Sequence, residues 1–315
     1  MLTRPLGRSS LQVSAVVLGG NVFGWTIDES RSFEVLDAYA SAGGNCIDTA
    51  DVYSTWVSGH HGGESETIIG KWMKRRGNRG QMIIATKLGS AMGPEMKGLS
   101  AGYMIDAVEA SLTRLQTDYI DLYQAHEDDT ATPLEETLIA FGRLVAQGKV
   151  RVIGASNYSG ERLQKALEVS RAHGLVRYES VQPSYNLYDR ADFESSLQAL
   201  CLREEVGVIP YYGLASGFLT GKYRSESDLA QSVRGANVGK RYLNKRGLRI
   251  VKALDEVAHS YHTSAAAVAL AWLIAQPGIT APIASATNPD HVRDLAIATE
   301  LRLDEGALAT LDATR

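Results

Sequence analysis

The fold turns on residues 82–126, MIIATKLGSAMGPEMKGLSAGYMIDAVEASLTRLQTDYIDLYQAH. A short apolar run, Met82–Lys87, ends on an ammonium. A longer stretch follows in which Ile105, Val108, Leu112 and Leu115 fall on one helical face. A second run, Ile120–His126, ends on an imidazole. Neither run shows clean polar alternation, as expected of strands covered on both faces. Strand, helix, strand in this order predicts a parallel crossover unit.

The same alternation extends in both directions. Six further runs read as strands: Val13–Gly19, Cys46–Thr49, Val150–Ser156, Tyr178–Gln182, Val208–Tyr211 and Ala281–Ser285, which makes eight. Helical faces lie between them, at Leu134, Leu138, Phe141 and Val145, and at Ile250, Leu254, Val257 and Tyr261. Thr132, Pro133 and Glu135 predict a capping box at one helix start, with Gly148 at its end, and Asn288–Pro289 predicts the start of the last helix. Eight strands alternating with helices fit a doubly wound sheet or a closed barrel. No GxGxxG follows the first strand, as a dinucleotide-binding sheet requires. Polar residues recur at the C-terminal ends of successive strands, where a barrel assembles its site. The reading is therefore an α/β (β/α)8 barrel occupying residues 1–315 as one domain. Ser54–Glu64 and Tyr223–Asn244 read as extended loops at the C-terminal face.

The 315 residues are 44 % hydrophobic and 22 % charged, which indicates neither disorder nor a fibre. A net charge of −4, with no Lys/Arg block, gives no footprint for nucleic acid or a membrane surface. No secretory leader is read in the polar start, and no apolar window is long enough to span a membrane. The two cysteines, Cys46 and Cys201, form no CxxC pair and suggest a reducing compartment, so a cytoplasmic location is expected. His60–His61 lacks a third ligand at useful spacing and is read as a loop, with no metal site.

Three adjacent strand ends carry the chemistry. The second ends in Asp48, with Tyr53 in the loop beyond; the third ends in Lys87 and the fourth in His126. Neighbouring strands lie about 4.8 Å apart, so the three ends span roughly 10 Å. An ammonium beside the phenol is expected to lower its pKa, and a carboxylate beside the ammonium to keep it charged. The imidazole can donate to a substrate oxygen. Such a set protonates an oxygen as it becomes an alkoxide, which carbonyl reduction needs. Singly, each residue has a plainer reading: a rim ion pair for Asp48 or Lys87, a satisfied core histidine for His126.

The stretches NCIDTADVY, IIATKLG and DLYQAH resemble the catalytic motifs of the aldo-keto reductases, and GKVRVIGASNY, VQPSYNLYDR, GLASGFLTGKY and PIASATNPDHVRDL extend the likeness over nearly the whole chain. The resemblance implies a barrel binding NADP(H) or NAD(H) in extended form, with Asp48, Tyr53, Lys87 and His126 as catalytic residues and Tyr53 as general acid in reduction and base in oxidation. It implies that Gly20, Asn21, Asp48, Ser156, Asn157 and Gln182 surround the nicotinamide end, with Tyr211 stacking on the ring. Leu214, Ser216, Gly217 and Lys222 would run beside the pyrophosphate, and Arg234 would form part of a clasp. Ser285, Thr287, His291 and Asp294 would take the adenosine end. Trp25, Tyr53, Trp56, His126 and Tyr212 are expected to line the substrate cleft.

Two departures bear on specificity. The position of Thr287 often carries Lys or Arg in the family, and Asp290 adds a negative charge; NADP(H) remains the preferred cofactor, with NAD(H) possible. Glu127–Asp128–Asp129 follows His126 and suggests either a polyol-like or cationic substrate or a solvated loop. The substrate is expected to be a small carbonyl compound or alcohol, and the chain a monomer or modest homo-oligomer. Rival readings are alcohol or sugar oxidation in the physiological direction, a binding module like the β-subunits of potassium channels, and an aldolase using Lys87 as Schiff base.

Overall fold

The computed structural model describes residues 1–315. Two short strands, β1 (Thr3–Pro5) and β2 (Gln12–Ser14), pair antiparallel as an N-terminal hairpin. Eight parallel strands follow in one sheet: β3 (Val17–Gly19), β4 (Cys46–Asp48), β5 (Ile83–Leu88), β6 (Ile120–Ala125), β7 (Val150–Ser156), β8 (Tyr178–Gln182), β9 (Gly207–Val208) and β10 (Ile283–Ala284), with β10 beside β3. The two ends of the sheet meet. The N–H groups of Thr280 and Ile283 donate to the carbonyls of Val208 and Pro210, both at 2.8 Å. Closure leaves no exposed edge, and the molecule is a (β/α)8 barrel.

The first strand is not the single run Val13–Gly19. Ser14 donates its N–H to Asn45 Oδ1 at 2.7 Å and its hydroxyl to the Val16 carbonyl at 3.0 Å, so the chain turns before Val17. The first half joins the hairpin and the second half the barrel. The seventh strand is also shorter than expected, because Pro210 has no N–H to offer; Tyr211 pairs only through an isolated bridge to Ser184.

Helices α1 (Glu29–Ser41), α2 (Glu64–Arg76), α3 (Ala101–Leu115), α4 (Leu134–Ala146), α5 (Gly160–His173) and α6 (Gln198–Glu204) alternate with the strands. Between β9 and β10 come α7 (Gly235–Arg241), α8 (Lys245–Ser260) and α9 (Ala265–Ala275); α10 (Pro289–Glu300) and α11 (Glu305–Asp312) end the chain. The buried face of α3 is Met104, Ala107, Val108, Ser111, Leu112 and Leu115, while Ile105 points to solvent. The capping box at α4 does not form: the Thr132 hydroxyl donates to Asp129 instead, and Pro133 takes the cap position. At α10 the Asn288 side chain does accept from the N–H of His291, although α11 follows it. The segment 223–244 is not an open loop either; it holds a 3-10 turn, Glu226–Gln231, and α7.

Alternation along each strand sorts two cores. Leu18, Ile47, Ile84, Tyr123 and Ile153 face outward into a 74-residue cluster shared with the helices. Val17, Cys46, Ala85, Leu122 and Val152 face inward and meet Leu6, Leu11 and Val13 of the hairpin. The hairpin thus fills the N-terminal mouth, and the next inward layer up faces the C-terminal mouth.

Candidate active site

That upper layer is polar. Asp48, Lys87, Gln124 and Gln182 stand two residues beyond apolar inward residues, or continue their parity, and are all buried. Lys87 is fully enclosed and spends all three of its donors. Its Nζ lies 2.7 Å from Asp48 Oδ2, 2.7 Å from the Thr49 carbonyl and 3.1 Å from the Tyr53 hydroxyl. The second Asp48 oxygen accepts from Gln124 Nε2 at 3.2 Å and Gln182 Nε2 at 2.9 Å. Burial opposes the Lys87 charge, but Asp48 and then Tyr53 overturn it, and the ammonium titrates above its ordinary value. A charged amine with every donor bonded has no lone pair for Schiff-base chemistry.

Tyr53 departs from expectation. Burial raises its phenol, Lys87 pulls it down, and the net direction is upward. Desolvation of a phenolate in this enclosed corner outweighs one ammonium. His126 packs its ring at 72° against Tyr53, with centroids 5.9 Å apart. Burial, with Lys87 adding to it, pulls the imidazole down to about 3, so it is neutral at physiological pH. Its Nδ1 has no protein partner.

These groups open onto a cavity of about 830 Å³ at the C-terminal mouth. Asn21, Ser156, Asn157, Gln182, Tyr211 and Ser285 line one side of it. Tyr211 donates to Asn157 Oδ1 at 2.8 Å, and Asn157 Nδ2 donates to the His126 carbonyl at 2.9 Å. Gln182, while lining the cavity, donates its amide N–H groups to Asp48 at 2.9 Å and Gln124 at 3.1 Å. Leu214, Ser216 and Gly217 line the turn after β9, where Ser216 and Gly217 are left-handed (φ 57° and 92°). Trp25, Trp56 and Tyr212 form an aromatic wall; the Trp25 and Trp56 rings meet edge-on at 5.4 Å. Arg234 lies over Trp25 at 4.9 Å, and its buried Nη2 has no protein partner.

Several expected residues lie elsewhere. Gly20 does not line the cavity; an added Cβ there would meet Ser65 Oγ at 2.9 Å, and Gly19 takes the lining position. Lys222, Thr287, His291 and Asp294 lie outside the cavity lining. Thr287 donates its N–H to His291 Nδ1 at 3.3 Å, Lys222 acts on the same imidazole, and Asp294 accepts from Ser264. The Glu127–Asp129 carboxylates do not enter the site. Glu127 accepts from Ser90, Asp128 pairs with Arg162 at 2.7 Å, and Asp129 accepts from the Leu99 N–H and the Thr132 hydroxyl, so they give no ground for a cationic substrate. His60 meets Ser54 Oγ at 3.0 Å.

Sequence reading missed Gln124, Asn237, Val238, Arg241 and Tyr242. Period-two parity back from His126 points to Gln124 on the same face. The other four sit on or beside α7, which composition alone disguised as a loop.

Comparison with known proteins identifies the family. A family model described as "Aldo/keto reductase family" matches residues 15–315. A Bacillus subtilis protein named "Uncharacterized oxidoreductase YrpG" is 35% identical over 98% of this chain and 94% of its own. A rice (Oryza sativa subsp. japonica) "Probable voltage-gated potassium channel subunit beta" is 33% identical over 93% of this chain and 89% of its own. "Aldo-keto reductase YhdN" of Bacillus subtilis is 34% identical over 91% of this chain and 84% of its own. The chain belongs to the aldo/keto reductase family.

Proposed function

We propose that this oxidoreductase reduces a carbonyl compound with NADP(H), using Tyr53 as general acid. The observation that carries the reading is the Lys87 ammonium bridging the Asp48 carboxylate and the Tyr53 hydroxyl at the mouth of the cavity. The cavity suits an extended dinucleotide. Arg234 brings an unpartnered guanidinium N–H into it, and the left-handed turn at Ser216–Gly217 offers backbone amides. When bound, the nicotinamide supplies a hydride at carbon.

The chain's own groups handle the oxygen. His126, neutral, presents a ring N–H to the substrate oxygen and orients it. Tyr53 stays protonated at neutral pH and donates its phenol proton as charge develops on that oxygen. Lys87 stabilises the resulting phenolate, and Asp48, held by two glutamine amides, fixes Lys87. Run backwards, the same set takes the proton from an alcohol, so oxidation uses no other groups.

At the far end, Lys222 and the Thr287–His291 pair would meet a 2′-phosphate, and Arg293 is engaged with Asp290 at 3.5 Å. This supports NADP(H) over NAD(H) with one free ammonium. The rice relative's name points to a channel partner; the complete proton-handling set favours chemistry here.

Replacing Tyr53 by Phe should abolish turnover while NADPH still quenches the protein's Trp and Tyr fluorescence. Full activity in Y53F overturns the assignment. Parallel titrations with NADPH and NADH decide the cofactor: tighter NADH binding overturns the preference for the phosphorylated form.

A further inference from the structure

Behind the catalytic wall lies a second acid that the proton-transfer scheme does not use. Asp51 sits two residues before Tyr53 and is 1 % exposed. Its N–H donates to the carbonyl of Lys87 at 3.1 Å, so it anchors the Tyr53 turn to the catalytic strand. Neither of its carboxyl oxygens has a hydrogen-bond partner in the protein. One guanidinium serves this side of the sheet, and it is already committed. Arg114 Nε pairs with Glu66 Oε2 at 2.6 Å, the Thr86 hydroxyl takes Glu66 Oε1 at 2.6 Å, and Arg114 Nη2 turns to Ser111. Two buried carboxyls thus share one cation, and Glu66 holds it. The other polar groups that act on Asp51 are the Val52 N–H, which favours its charged form without closing a full hydrogen bond, the Tyr103 and Tyr123 phenols and, from the far side, Lys87. The Tyr123 hydroxyl is itself buried and unpartnered.

A carboxylate with no full hydrogen bond, whose one nearby cation is held by Glu66, is strongly disfavoured in such a place, whereas a neutral carboxyl is tolerated. We propose that Asp51 is a proton-bearing positioning residue, kept neutral so that the Lys87 ammonium acts on Asp48 and Tyr53 alone. Burial, with the Glu66 charge adding to it, pushes Asp51 up to about 8. Above that pH a second negative charge would form beside Lys87 and raise the Tyr53 phenol further. The catalytic consequence rests on the role proposed for Tyr53; the proton on Asp51 does not.

Infrared difference spectroscopy tests the proton directly. The wild-type protein should show the C=O stretch of a protonated carboxylic acid at pH 7, fading as the pH is raised through about 8. The band should vanish in D51N, and in E66Q, where the Glu66 charge is gone and Arg114 is released, it should fade at a lower pH than in wild type. A wild-type spectrum without the band, or a band kept in D51N, overturns the proposal. If D51N does not fold, the fade in E66Q decides: a move to lower pH supports Asp51 as the bearer, and an unmoved fade, or no band at any pH, overturns it. For catalysis, the pH profile of kcat/KM for alcohol oxidation should shift to lower pH in D51N by a few tenths of a unit, with reduction near pH 6.5 within twofold of wild type. An unshifted profile overturns the positioning role, while an active Y53F would show that the reading of Tyr53 had failed instead.

Discussion

Lys87 holds the charge balance of the inner layer, since its ammonium is the only cation bonded to Asp48. Lys87→Met should lower kcat by about 10²–10⁴, because the phenolate loses its counter-charge and Asp48 is left buried with only amide donors. Single-turnover kinetics with a cofactor titration check this: the rate should fall while cofactor affinity holds. His126 makes the opposite kind of prediction. As a neutral imidazole, it should give no inflection between pH 5 and 8 in the profile for reduction, and an inflection near 6 that disappears in H126A contradicts that reading. At this scale the sequence displayed the three strand-end residues Asp48, Lys87 and His126, with Tyr53 in the loop beyond, as a set that the structure brings together. It misjudged the direction of the Tyr53 shift, because a sequence displays the neighbouring ammonium but not the depth of burial. Gln182 does line the cavity, and its amide N–H is also committed to Asp48, which the sequence does not display.

Among the elements, caps illustrate what local chemistry settles. Asn288 has an unsatisfied N–H three residues on and nothing nearer to compete for its side chain. Asn288→Ala should cost about 1 kcal/mol, read as a lower midpoint in urea with an unchanged slope. The Thr132 cap failed because Pro133 is still non-helical (ψ 136°), so the helix starts one residue later than a Thr132 cap requires, and the free hydroxyl donates to Asp129. The strands were placed to within a few residues wherever apolar runs were unbroken. They were not where a polar Ser14 diverts the chain or a proline interrupts the ladder, since those outcomes depend on partners far along the sequence. α7 escaped for a related reason: a short polar helix has no apolar stripe to announce it.

For the whole molecule, the barrel was legible because every strand end repeats the same polar punctuation. Its closure rests on distant pairings that no local pattern displays. Inside the sheet, away from the closure, Asp121 makes a comparable long-range tie. From β6 it accepts from Arg79 ahead of β5, from Arg151 in β7 and from the Ile84 N–H, at 2.8, 2.8 and 3.0 Å. Asp121→Ala should destabilise the fold by about 1–3 kcal/mol, since it strands the buried Ile84 N–H while both arginines keep access to solvent. The folded fraction should keep its kcat, because this tie lies at the opposite end of the strands from Lys87; calorimetry and steady-state kinetics on the same sample check both. The N-terminal hairpin has a broader consequence. By stoppering one mouth, it makes the lumen a blind alley, with traffic in and out at one end only. Anything lodged in the upper cavity then seals the compartment. On the role proposed for Tyr53, a proton handed over there would not be replenished from below, and recharging would wait on the release of whatever fills the mouth.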